Sequence, residues 1–112
     1  MLNHTVQKHF TQNLAAGALS QDYRFHTQAR IKAIHLSFSE TVTETVTVTR
    51  VDAFGNEYNT AGSTKTLDDN DDYIFHPEWD LILVKGDTIR IECTNANEVG
   101  VVYGTIHIEG GI

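Results

Sequence analysis

Four carboxylates stand within five residues at Asp68, Asp69, Asp71 and Asp72, with Asn70 between them. Asp68, Asn70 and Asp72 match the first three oxygen positions of a calcium loop. The match ends there, because Tyr73 stands where that loop needs glycine and Trp79 where it needs a bidentate glutamate. The nearest basic residues, Lys65 and Lys85, are too few to neutralise four adjacent acids in an interior, so residues 68–72 are expected to form a solvent-facing loop. Six histidines, at 4, 9, 26, 35, 76 and 107, include no pair at ligand spacing on one element. No metal or other cofactor is expected. There is no G-x-S-x-G elbow and no activating partner evident for Cys93, so no residue is assigned as catalytic and the chain reads as a non-enzyme. In His76-Pro77-Glu78-Trp79-Asp80 an aromatic ring sits beside acids, a combination suited to stacking on a sugar, which makes Trp79 and Glu78 candidate ligand-binding residues. The bland alternative is a proline kink with Trp79 capping the core.

The elements that would position these residues are short. Ser20 to Thr27, Arg30 to Ser39, Thr41 to Val51, residues 57–60, 73–75, 81–84, 88–93 and 99–109 are apolar or β-branched runs separated by turn residues. Ile34, Leu36 and Phe38 share one face of their run and His35 and Ser37 the other. In the threonine-rich run, Thr43, Thr45, Thr47 and Thr49 alternate against Val42, Val46 and Val48. Glu44 and Val51 break that alternation, so either the strand starts after Glu44 or a bulge shifts its register near Arg50. Phe54-Gly55-Asn56 reads as a turn. Lys85-Gly86-Asp87-Thr88 predicts a type II′ hairpin joining 81–84 to 88–93. About eight strands without helix-length spacers predict an all-β fold, an antiparallel two-sheet sandwich of jelly-roll type, with an immunoglobulin-like sandwich second.

Residues 1–18 stand apart from the sandwich assigned to 19–112. Leu2, Val6, Phe10 and Leu14 recur every four residues, which fits a short helix, yet Val6, Phe10 and Leu14 also share one face of a strand. The segment is either a first strand plus a connection or an arm, and as an arm it would offer Leu2, Val6 and Phe10 to a partner.

At 112 residues the chain can bury a core without staples. Its 15 acidic against 8 basic residues give a net charge of −7, which argues against nucleic acid and anionic membrane as partners. The one cysteine, Cys93, alternates with Ile89 and Ile91 and reads as a buried structural thiol. No run approaches the ~20 apolar residues of a membrane-spanning helix, and no secretory leader pattern opens the sequence, so a cytosol-like compartment is expected.

Several segments together resemble small virion proteins of tailed bacteriophages. They are Asn13-Leu14-Ala15-Ala16-Gly17-Ala18-Leu19-Ser20, Arg30-Ile31-Lys32-Ala33-Ile34-His35-Leu36-Ser37-Phe38, the threonine-rich 43–49, Phe75-His76-Pro77-Glu78, Leu83-Val84-Lys85-Gly86-Asp87-Thr88-Ile89, Thr94-Asn95 and Val102-Tyr103-Gly104. The similarity spans about residues 13–108. It implies a capsid decoration (cement) protein, often a trimer, located in the virion and in the host cytoplasm before assembly. The implied partner is the major capsid protein or another virion protein. No catalytic or ligand-binding residue transfers with the resemblance. Rival readings are a neck, tail or fibre-associated module and a carbohydrate-binding module using Trp79.

Overall fold

Strands β1 (Thr5–Asn13), β2 (Leu19–Arg24), β3 (Ala29–Val42), β4 (Thr45–Val51) and β5 (Glu57–Asn59) are followed by β6 (Lys65–Thr66), β7 (Asn70–Phe75), β8 (Leu81–Leu83), β9 (Thr88–Cys93) and β10 (Val101–Gly110). The computed structural model describes residues 5–59, 64–67, 70–77, 81–95 and 98–110, and no helix occurs among them. Two antiparallel sheets face each other, ordered β1-β10-β3-β7 with β8 also on β3, and β2-β9-β4-β5 with β6 also on β4. The ten segments therefore fill eight strand positions. The pairs β1 with β10, β2 with β9, β3 with β7 and β8, and β4 with β5 and β6 are nested like the rungs of one long hairpin, and the chain changes sheet between them. That nesting is the jelly-roll winding expected from the strand pattern.

Period-two alternation decides what enters the core. Ile34, Leu36 and Phe38 of β3 meet Val46 and Val48 of β4 and Ile89, Ile91 and Cys93 of β9, all buried. Each such side chain contributes roughly 1.5–3 kcal/mol relative to exposure. Cys93 is a buried free thiol, and burial raises its pKa.

The N-terminal segment is a strand and not an arm. β1 pairs with β10 from Thr5↔Glu109 to Asn13↔Val101, and Phe10 lies in the core at 8% exposure opposite Gly104. A side chain at Gly104 would put its Cβ 2.1 Å from the Phe10 ring, so the glycine leaves the space that the ring occupies. Val6 is half-buried on the same face, and Leu2 lies outside the described residues. Val6 and Phe10, two of the trio that an arm would offer to a partner, thus belong to the sandwich, and of the two readings of residues 1–18 the pairing bears out a first strand plus a connection. Lys8 shares their face without joining the core. Its ammonium sits 5.7 Å from the Tyr23 ring centre, bridging from β1 to β2 across the open side of the sandwich.

Hydrogen bonding bears out a strand start after Glu44 and revises two other expectations. The threonine-rich run divides between two sheets: β3 ends at Val42 and β4 starts at Thr45, with no register shift along β4. Glu44 is fully buried at this crossing, where its carboxylate accepts from Thr94 Oγ1 at 2.9 Å and its carbonyl from Leu67 N at 2.8 Å. Residues 84–87 form a corner instead of a hairpin, because β8 belongs to the first sheet and β9 to the second. Asp87 N donates to Val84 O at 3.0 Å, and Gly86, with φ +94°, takes the second central position, as a type II turn requires. The acidic run is not wholly a loop: Asn70 opens β7, pairing with Val42, and Asp72 pairs with Ser37, while Asp68 and Asp69 lie outside the described residues.

Because Phe10 fills the space over Gly104, Phe10→Ala is expected to destabilise the chain by about 3–5 kcal/mol. Gly104→Ala should cost at least ~1–3 kcal/mol through overpacking. Denaturant unfolding measures both; two near-neutral variants would mean that β1 is dispensable.

Candidate docking end of the sandwich

Three connections meet at one end of the molecule: residues 25–28 between β2 and β3, 52–56 between β4 and β5, and 84–87 between β8 and β9. Phe25 N donates to Asp87 O at 2.8 Å and Gly86 N to Phe25 O at 2.8 Å, joining the first connection to the third. Gly86 also approaches the second closely, since a Cβ there would lie 2.9 Å from that of Ala53. Asp87 is buried at 3% exposure, accepts from Val84 N at 3.0 Å and lies 3.8 Å from Arg50 Nη1.

The 52–56 connection is organised by one carboxylate. Asp52 Oδ1 accepts from the backbone amides of Phe54 and Asn56, both at 2.9 Å. Its Oδ2 accepts from Asn56 Nδ2 at 3.0 Å and from the Tyr58 hydroxyl at 3.3 Å. Asp52 N donates to Asn56 O at 2.9 Å and Gly55 N to Asp52 O at 3.1 Å, which closes the loop. The Asn56 amide is the main cause holding the Asp52 pKa below its ordinary value; the Asn56 side chain, Phe54 amide and Tyr58 hydroxyl act in the same direction, against a partial upward effect of desolvation. Tyr58 in turn stacks on Arg50, with the guanidinium 4.6 Å from the ring centre.

This ordered loop carries Phe54 at 92% exposure, beside the corner that exposes Val84 at 51%. Within windows 24–28, 50–58 and 84–88 the charged residues are Arg24, Arg50 and Lys85 against Asp52, Glu57 and Asp87, three of each sign. The net −7 of the chain therefore resides elsewhere. A rigid, neutral end displaying an aromatic ring has the character of an interface anchor.

No protein-family model and no curated protein matches this chain significantly. Solved structures share its fold. The core of Drosophila NLP, whose structure concerns pentamer formation and histone binding, aligns over 92% of this chain and 97% of that one, with TM-score 0.51 and 15% identity. A chain of the infectious bursal disease virus T13 particle aligns over 98% of this chain with TM-score 0.50 and 11% identity. This chain spans 31% of the length of that viral chain. At these identities the likeness is one of fold.

Among the described residues, those singled out from sequence do not assemble into a site. Glu78 and Trp79 lie outside the described residues, and Val6 and Phe10 belong to β1. His9, His35 and His107 share the outer face of the first sheet, where His9↔Thr105↔His35 form one row. His35 Nε2 lies 3.5 Å from Asp72 Oδ1. Among the described residues no group of three or more His, Cys, Asp or Glu could hold a metal ion. What the sequence reading passed over is Phe54 with its supports Asp52, Arg50, Tyr58 and Asp87. The available signal was a large apolar residue at a turn tip, next to an aspartate able to cap the amides that follow it.

Asp52 binds its amides as a carboxylate, so the clamp is fully present above the unfolded value of 3.8 and is lost as pH falls through the lower folded value. The Phe54 and Asn56 amide resonances should titrate together with a midpoint below 3.8. In Asp52→Ala both should move to exchange-exposed positions while the strands stay protected. A midpoint at or above 3.8 would contradict the clamp.

Proposed function

We propose that this chain is a non-enzymatic structural component of a virus particle, and specifically a decoration (cement) protein on the outer capsid of a tailed bacteriophage. It acts as a homo-oligomer with a trimer favoured, partners the major capsid protein or another virion protein, and resides in the host cytoplasm until assembly. The observation that carries this reading is Phe54, displayed at 92% exposure on a carboxylate-clamped loop at an end without net charge in an acidic molecule. A free subunit gains nothing from ordering a large apolar side chain in water, whereas a partner pocket gains its burial without having to order the loop. The fold shared with a viral particle chain, and the phage-like segments of the sequence, support the same reading.

Purified chain added to capsids lacking it is expected to bind stoichiometrically. Phe54→Glu should weaken that binding by at least roughly 30-fold, the equivalent of about 2 kcal/mol, at unchanged melting temperature. Full binding by the variant would remove Phe54 as the anchor. Binding to isolated tails and not to capsids would reassign the chain to the tail, neck or fibres. Light scattering reports the assembly: a monomer both free and on particles contradicts the oligomer, and a pentamer, the assembly associated with NLP, would replace the trimer.

A further inference from the structure

The outer face of the second sheet carries an open groove of about 350 Å³ of mixed polar and apolar lining, formed by Thr45, Thr47, Thr49, Glu57, Glu92 and Thr94 over the buried Cys93. Its ends are fixed by side chains already bonded to one another. At one end Arg90 Nη1 donates to Glu57 Oε1 at 2.6 Å and its Nε to Asp22 Oδ1 at 2.9 Å. At the other, Thr94 Oγ1 donates to Glu44 and accepts from Thr45 N at 2.8 Å, while Thr45 and Thr66 hydroxyls meet at 2.8 Å. Between them Thr47 and Glu92 stand directly opposite across β4 and β9, and neither side chain makes a hydrogen bond or ion pair among the described residues. The frame is set and its centre is uncommitted.

The chemistry of that centre selects its occupant. Threonine methyl groups and hydroxyls line it together with two carboxylates, so an occupant that joins an apolar stem to a polar head matches it better than a wholly apolar one. An anion would face Glu57 and Glu92, while the nearby cation, Arg90, is already shared by Asp22 and Glu57. Among the described residues no cluster suits a metal ion. A neutral sugar could use the hydroxyls but would gain no charge attraction from the exposed Glu92 carboxylate, which a cation does. A primary ammonium supplies three donors for one carboxylate and neighbouring hydroxyls, and its methylene stem can lie along the threonine methyl groups. A planar guanidinium, with five donors, would leave more of them unmet. Glu57 sits on the β4–β5 hairpin that presents Phe54, so a polypeptide reaching that end passes beside the groove.

We infer that this groove seats a lysine side chain of a protein partner, with Glu92 as the counter-charge and Thr47 as the hydroxyl acceptor. The inference rests on the groove's own charge and hydrogen bonding and does not require the partner to be viral.

Titration of the isotope-labelled full chain with Nα-acetyl-lysine amide at low salt, followed by backbone amide NMR, tests it without any particle. Saturable shifts are expected at residues 45–49 and 92–94, with a Kd on the order of millimolar, weakened several-fold by 0.5 M salt. Glu92→Gln should weaken binding about 3- to 5-fold and Thr47→Val by less, the scale of an exposed ion pair. Acetyl-norleucine amide, which lacks the ammonium, should give no saturable shifts at these residues. Equal binding of the norleucine compound, tighter binding of the arginine analogue, saturation by glucose insensitive to Glu92→Gln, or shifts confined to other faces would each overturn the assignment.

Discussion

The Asp87 carboxylate is the interaction on which the docking end depends. A buried charge is costly unless it is bonded and paired, and Asp87 has both: the Val84 amide from its own turn and the Arg50 guanidinium from the neighbouring strand β4. From there the order passes outward. Arg50 is held beneath the Tyr58 ring, Tyr58 donates its hydroxyl to Asp52, and Asp52 holds the amides that aim Phe54 into solvent. The turn that carries the chain between the sheets thereby also fixes the loop proposed to touch the partner, linking topology to function through four side chains.

The rest of the sandwich keeps that end in place. β1 completes the first sheet, and Phe10 over Gly104 fills a space that any other residue at 104 would close. The nested pairing joins strands far apart in sequence, β1 to β10 and β2 to β9 among them, so most stabilising contacts form only when distant strands meet. Such a chain is expected to fold slowly and then hold a rigid shape, which suits a surface component whose contacts must be ready before the partner arrives.

Strand positions were legible because alternation is a local property. Ile34, Leu36 and Phe38 against His35 and Ser37 announced the two faces of β3, and the nested winding followed from eight short strands without spacers. β1 was ambiguous because a repeat of four satisfies both a helix and a strand, and only the pairing with β10 separates them. The turn at 84–87 was read as a hairpin because sequence shows a reversal but not which sheet each flank joins. The docking end was the least legible part. Asp52 and Phe54 are neighbours in sequence, but Arg50, Tyr58 and Asp87 join them through contacts among three elements, and no spacing rule reports such a junction.

In the proposed role the end carrying Phe54 faces the partner, with the acidic remainder of the molecule turned away from that contact. A reconstruction of the native particle tests this most directly, because it reveals the orientation and copy number of the chain together. The expected density has the 52–56 and 84–87 connections meeting the capsid and the Phe54 ring entering an apolar pocket. Density with that end projecting into solvent, or with the chain absent from the particle, would contradict it.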